Sequence, residues 1–138
     1  MNYHLAILKK PYLDAILEGR KTIESRLYQT KQKWLSQVNA GDKIFLKVSS
    51  GPVIATAIAD KVEYYENLTT GQILEMQKQY NPQILGDKQY WREKMNSKCG
   101  VLVWLKDVQR IPPQSIKKFD WRAWVILTPK ENFGLITP

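Results

Sequence analysis

The chain has 138 residues, enough for one domain that buries about two-thirds of the surface its unfolded form exposes. A single cysteine excludes an internal disulfide framework, and no apolar run approaches the roughly 18 residues of a membrane span. Lysine and arginine total 21 against 13 acidic residues, a formal charge of +8, which biases encounters toward polyanions such as RNA.

The first apolar run, Tyr3 to Leu8, reads as a strand, and Pro11 then suits the first turn of a helix. Leu13, Ile16 and Leu17 fall at helical spacing over Tyr12 to Glu18, and Gly19 stands where a left-handed C-terminal cap belongs. Thr22 to Tyr28 alternates as a strand, so Glu24 and Arg26 project from one face and Ile23, Ser25 and Leu27 from the other. Lys21 sits at the junction after the glycine, where parity does not fix its direction.

Gln29 to Ala40 is polar around Trp34, Leu35 and Val38, and reads as a helical turn or a long loop leading into Gly41-Asp42. Lys43 to Val48, the turn Ser49-Ser50-Gly51-Pro52, and Val53 to Tyr64 form an antiparallel hairpin. Thr69-Thr70-Gly71-Gln72 carries a capping-box pattern that opens a second helix, which Asn81-Pro82 is expected to stop. Residues 83 to 97 read as irregular around Tyr90-Trp91. Cys99 to Leu105 and Trp121 to Leu127 are strand-like, with Ile111-Pro112-Pro113 as a turn signal between them. Many strands and few helices in one chain predict a single α+β domain, a curved antiparallel sheet closing toward a barrel with helices at its ends.

Gly19, Lys21, Glu24 and Arg26 spell G-x-K-x-x-E-x-R directly after a helix. This motif, with Leu8-Lys9-Lys10-Pro11-Tyr12 before it and Trp121-Arg122-Ala123-Trp124 late in the chain, resembles the ASCH domain family over most of the sequence. The resemblance implies a PUA-like β-barrel whose signature residues line a cleft suited to RNA or a modified nucleoside. It also implies a second possibility, because one branch of the family hydrolyses acetylcytidine nucleosides. That branch uses a lysine at the position of Lys21, a threonine three residues on, and a glutamate from a later segment. Here the residue three positions on is Glu24, so the hydroxyl nucleophile is missing.

Chemically, a carboxylate between two cations can act as a mixed clamp, with the cations meeting phosphate and the carboxylate accepting from a base amine or a sugar hydroxyl. An exposed ladder pair of little consequence is the alternative. The expected ligand site therefore comprises Lys21, Glu24 and Arg26, with Lys10, Lys47, Ser49, Ser50 and Trp91 as outer members. Tyr90 and Trp91 lie in an irregular segment, where one of them either covers a bound base by stacking or is a loop anchor packed on the core. If the chain is an enzyme, an amidohydrolase acting on acylated nucleosides or a ribonuclease acting on RNA phosphodiesters, Lys21 is the base and Glu24 its partner. Glu75 is either a later carboxylate of that arrangement or a solvated helix residue.

His4 and Cys99, the single histidine and cysteine, read as core residues, as do Trp121 and Trp124. Neither a metal nor another cofactor is expected, and the setting implied is cytoplasmic, with no membrane partner.

Overall fold

A computed structural model describes residues 1–118 and 120–136 of the chain. The strands are β1 (Tyr3–Leu8), β2 (Ile23–Tyr28), β3 (Lys43–Val48), β4 (Val53–Tyr65), β5 (Cys99–Gln114) and β6 (Trp124–Leu127). The helices are α1 (Lys10–Leu17), α2 (Thr70–Ile84) and α3 (Lys88–Lys94), and a 3-10 turn spans Lys33–Gln37. The six strands make one curled sheet, a half-barrel in the order β2-β5-β4-β3-β1-β6.

Every neighbouring pair is antiparallel except β1 and β3, which run parallel from Tyr3 opposite Lys43 to Leu8 opposite Val48. The sheet is therefore mixed rather than purely antiparallel. The cause lies in the connection: α1, β2 and the 3-10 turn all intervene, giving the long crossover that parallel neighbours require.

Two expected breaks are absent. Helix α2 runs through Pro82 to Ile84, because the missing proline N–H costs only one bond in the last turn. Leu85 then caps it in the left-handed region at φ 60°, its N–H donating to Asn81 O. The Asn81 amide bonds both polar groups of Gly86, and Asp87 Oδ1 caps α3 by accepting from Tyr90 N, so residues 83 to 97 hold the end of α2, a braced corner and the whole of α3. Strand β5 likewise continues past Pro112-Pro113. The β4–β5 register shifts between Val53 and Ala55, opposite Gln114 and Arg110, so the prolines occupy a bulge where the ladder asks for no donor. Asp107, at φ 50°, marks another shift in the same pair. These bulges curl the long β4–β5 ribbon.

Strand β6 is shorter than the apolar run suggested, and begins at Trp124. Helix α1 ends as expected, with Gly19 at φ 78° and the N–H groups of Arg20 and Lys21 both donating to Ala15 O. One core cluster gathers Leu13 and Ile16 of α1 with Ile44, Leu46, Val101 and Val103 inside the curl. A second places Ile73, Ile84 and Trp91 against Ile23, Leu27 and Leu102. A third, on the opposite side, joins Leu5, Phe45, Val53, Val125 and Leu127. Among the described residues no helix is long and apolar enough to cross a membrane.

Candidate functional site

The turn after α1 sends Lys21 inward, so that only 3% of the residue is exposed. Its ammonium donates to Ile23 O at 2.8 Å and Ile84 O at 2.7 Å, and meets Glu24 Oε1 at 3.3 Å. Two of its protons thus go to backbone carbonyls, and Glu24 faces the ammonium as an ion pair. Lys21 thereby pins the start of β2 to the end of α2. It also lies 5.4 Å from the centre of the Tyr12 ring.

Glu24, on β2, is equally committed. Oε1 accepts from Ser25 N and faces Lys21, while Oε2 accepts from Nε and Nη2 of Arg26 at 3.3 and 2.9 Å. Burial works to raise the Glu24 carboxyl, but Lys21 and Arg26 outweigh it and hold the group below the usual carboxylate range. Burial pushes the Lys21 ammonium down, with Glu24 opposing. For Arg26 burial is again adverse, and Glu24 more than offsets it.

Arg26 spends its remaining donors across the open side of the curl. Nη2 reaches Ile7 O at 2.9 Å and Nη1 reaches Ala123 O at 3.1 Å, so a side chain of the first strand in the sheet clasps the opposite end. Its guanidinium lies over Trp124, which stacks on Trp34 at 4.9 Å with nearly parallel rings. Trp124 in turn donates from Nε1 to His4 Nδ1 at 3.1 Å, and His4 Nε2 bonds Asp42 Oδ2 at 2.8 Å. The indole can only donate, so the His4 proton resides on Nε2 and the imidazole is neutral.

Above this floor opens a cavity of about 360 Å³, near the lower end of the range typical for small-molecule sites. Lys21, Glu24 and Arg26 all line it. Its aromatic walls are Tyr12, Tyr28 and Tyr90, and the rings of Tyr12 and Tyr90 meet edge to face with centres 6.4 Å apart. Tyr90 is fixed by α3 and by Ser25, whose hydroxyl lies 2.6 Å from the Tyr90 hydroxyl. Lys9 and Lys94 add cations to the lining, which totals four cationic and three acidic side chains.

The outer residues named from the sequence lie elsewhere. Trp91 is 2% exposed, packed in the second core cluster with Nε1 donating to Asn81 Oδ1, so its neighbour Tyr90 takes the place at the cavity. Strand alternation puts Lys47 on the same side as Phe45, away from the cavity, where its ammonium donates to Val48 O. Ser49 and Ser50 are an exposed hairpin tip, and Lys10 is an exposed partner of Asp14 on α1. None of the five lines the cavity. Glu75 is exposed on α2 and borders a separate groove. Trp121, expected in the core, is fully exposed because β6 starts three residues later.

Sequence reasoning missed Lys9, Tyr12, Tyr28 and Lys94 as cavity residues. Tyr12 had a usable signal, since it precedes the apolar stripe of α1 and stands one position off it. Lys94 had none, because α3 itself was not anticipated. Among the described residues no cluster of His, Cys, Asp and Glu could hold a metal ion.

A half-barrel clasped over a mixed-charge cavity is a PUA-like architecture. The chain belongs to the ASCH domain family, whose model matches residues 7–125. In structure it is similar to the ASCH protein from Zymomonas mobilis, at a TM-score of 0.70 and 16% identity, covering 94% of this chain and 90% of that one. A variant of the Zymomonas protein gives a TM-score of 0.71 at 15% identity, covering 95% and 94%. The hypothetical protein PH0355 gives 0.51 at 22% identity, covering 80% of this chain and all of that one. No curated protein matches the chain in sequence.

Proposed function

We propose that this ASCH domain binds RNA, taking one nucleoside unit, modified or not, into the cavity above Lys21, Glu24 and Arg26. The observation that carries the reading is the convergence of these three side chains on one hollow that Tyr12 and Tyr90 wall. The likeness to PUA-like domains, a class that includes RNA binders, agrees with it, as does the net charge of +8.

The roles differ from a simple clamp. Lys21 and Glu24 have given their bonding capacity to the protein, so they form a preorganised polar floor. Base contact falls to Tyr12 and Tyr90, and phosphate contact to Lys9 and Lys94. A reducing compartment such as the cytoplasm suits the buried free thiol of Cys99.

The hydrolase alternative requires Lys21 as a base. A base needs a free lone pair, whereas the Lys21 ammonium donates to two backbone carbonyls and is paired with Glu24, which opposes loss of its proton. Binding is therefore the better-supported reading.

Titrating labelled single-stranded and structured RNA, and the four nucleosides, at several salt concentrations tests it. The expectation is RNA affinity that falls with salt, with nucleoside affinity largely unaffected. Absence of binding to both classes overturns it. Parallel incubation with acylated cytidines and labelled RNA should yield no product; turnover abolished by Lys21→Ala would instead establish the hydrolase.

A further inference from the structure

Of the five tryptophans, Trp121 alone is fully exposed, with a relative exposure of 100%. An indole carries a large apolar face, and leaving it in water forgoes the stabilisation its burial would give. Looseness of the segment does not explain its position. Asp120 accepts from Arg122 N at 3.0 Å, from Arg122 Nη2 at 2.8 Å and from Lys118 Nζ at 3.0 Å, while Arg122 also bonds both oxygens of Glu131. The backbone on either side of Trp121 is braced, and the ring is presented outward.

The pedestal abuts the cavity. Ala123 lines the cavity and its carbonyl accepts from Arg26 Nη1 at 3.1 Å and Ile7 N at 2.9 Å. Two residues of extended chain span at most about 7 Å, so Trp121 stands within that distance of Ala123, measured between Cα atoms. An indole beside a cavity with a cationic excess suits one partner chemistry in particular, a single-stranded polyanion whose units each carry a flat aromatic face.

We infer that Trp121 is a second base subsite: single-stranded RNA places one base in the cavity and stacks the adjoining base on the exposed indole. This rests on the RNA reading above and extends it from a nucleoside site to a strand-binding site at least two nucleotides long. Duplex RNA, whose bases are paired and stacked, cannot offer a face to the ring.

The experiment compares full-length wild type, Trp121→Ala and Trp121→Phe, titrated with the four nucleosides and with the four corresponding homohexanucleotides. Trp121 is fully exposed, so these variants keep the fold, which circular dichroism verifies. Expected are a loss of about tenfold in hexanucleotide affinity for Trp121→Ala, partial retention for Trp121→Phe, and unchanged nucleoside affinity in both. In wild type, hexanucleotide should also reduce acrylamide quenching of tryptophan fluorescence, and Trp121→Ala should abolish that protection. Nucleoside and hexanucleotide binding that Trp121→Ala leaves intact overturns the subsite while sparing the RNA reading. Equal losses for nucleosides and hexanucleotides also overturn it, since Trp121 would then serve the cavity itself. No binding of either ligand by wild type removes both readings together.

Discussion

The guanidinium of Arg26 lies 5.3 Å from the centre of the Trp124 ring, at the point where β2 and the β1–β6 end of the sheet come together. The same guanidinium bonds Glu24, Ile7 O and Ala123 O, so it serves the cavity floor and the closure of the curl at once. Lysine cannot reproduce a planar fork that reaches three partners. Arg26→Lys, which keeps the charge but loses the fork's bonds to the two carbonyls, should therefore destabilise the fold by about 2 kcal/mol and weaken nucleoside binding in parallel. Urea unfolding followed by tryptophan fluorescence measures the first effect; an unchanged midpoint would show that the clasp contributes nothing.

Glu24 titrates below its ordinary value of 4.5 in the folded protein, because Lys21 and Arg26 overcome the cost of burying its charge. A lowered acid pKa contributes stability that is complete above the unfolded value and is lost as pH falls through the folded one. Stability of the wild type should decline below about pH 4.5, and Glu24→Gln should lower stability at neutral pH while flattening that acid limb. Unfolding midpoints of both proteins across the acid range are the check, and parallel limbs would contradict the assignment.

Burial pushes the His4 imidazolium below its ordinary value of 6.5, outweighing the attraction of Asp42. The sign follows from proton counting: between the two values the unfolded chain binds more protons, so stability is full above 6.5 and falls with pH beneath it. Protonation at Nδ1 would also turn an acceptor into a donor facing the Trp124 N–H. Since Trp124 carries Arg26, ligand affinity should fall only at the lower end of that window, where His4 of the folded protein itself takes up the proton. Nuclear magnetic resonance titration of the single imidazole reads the pKa directly, and a value at or above 6.5 would refute the coupling.

A Cβ added at Gly86 would lie 2.6 Å from Tyr90 Cδ2 and 2.8 Å from Trp91 Nε1. Both rings are held by neighbours, Tyr90 by Ser25 and Trp91 by Asn81, so neither is free to yield. Gly86→Ala should cost about 1–3 kcal/mol, the usual penalty of overpacking, and should reduce nucleoside affinity by displacing Tyr90. Thermal melting and the nucleoside titration together test this; a neutral substitution would mean that the α2–α3 corner is soft.

The two lysine positions separate floor from rim. Lys94→Gln should reduce the slope of log affinity against log salt by about one, as should Lys9→Gln, because each removes one phosphate contact. Lys21→Met should weaken binding through the floor yet leave that slope unchanged. An altered slope for Lys21→Met would assign its ammonium to phosphate after all.

Much of this site was legible locally. The G-x-K-x-x-E-x-R run, with Gly19 ending α1, put Glu24 and Arg26 side by side because strand alternation is a short-range rule. What alternation could not supply was the long-range partnering: Lys21 turns inward only because Ile84 O waits 63 residues later, and Tyr90 enters only because α3 forms. The missed α3 and the unbroken β5 share a cause. Proline and polar composition were read as stops, whereas Pro82 sits in a last helical turn and Pro112-Pro113 in a bulge, where tertiary pairing overrides propensity. The parallel β1–β3 pair was hidden for a similar reason, since register across a long crossover leaves no local trace.

During synthesis, Arg26 emerges from the ribosome 97 residues ahead of the Ala123 carbonyl that completes its clasp. The nascent protein must hold three charges ready for burial until β6 docks beside β1, which makes the completed hollow a product of late, slow closure between distant parts of the chain. A chain cut ahead of Ala123 would leave Arg26 without that carbonyl and without the Trp124 ring it lies over, and its polar floor open to water.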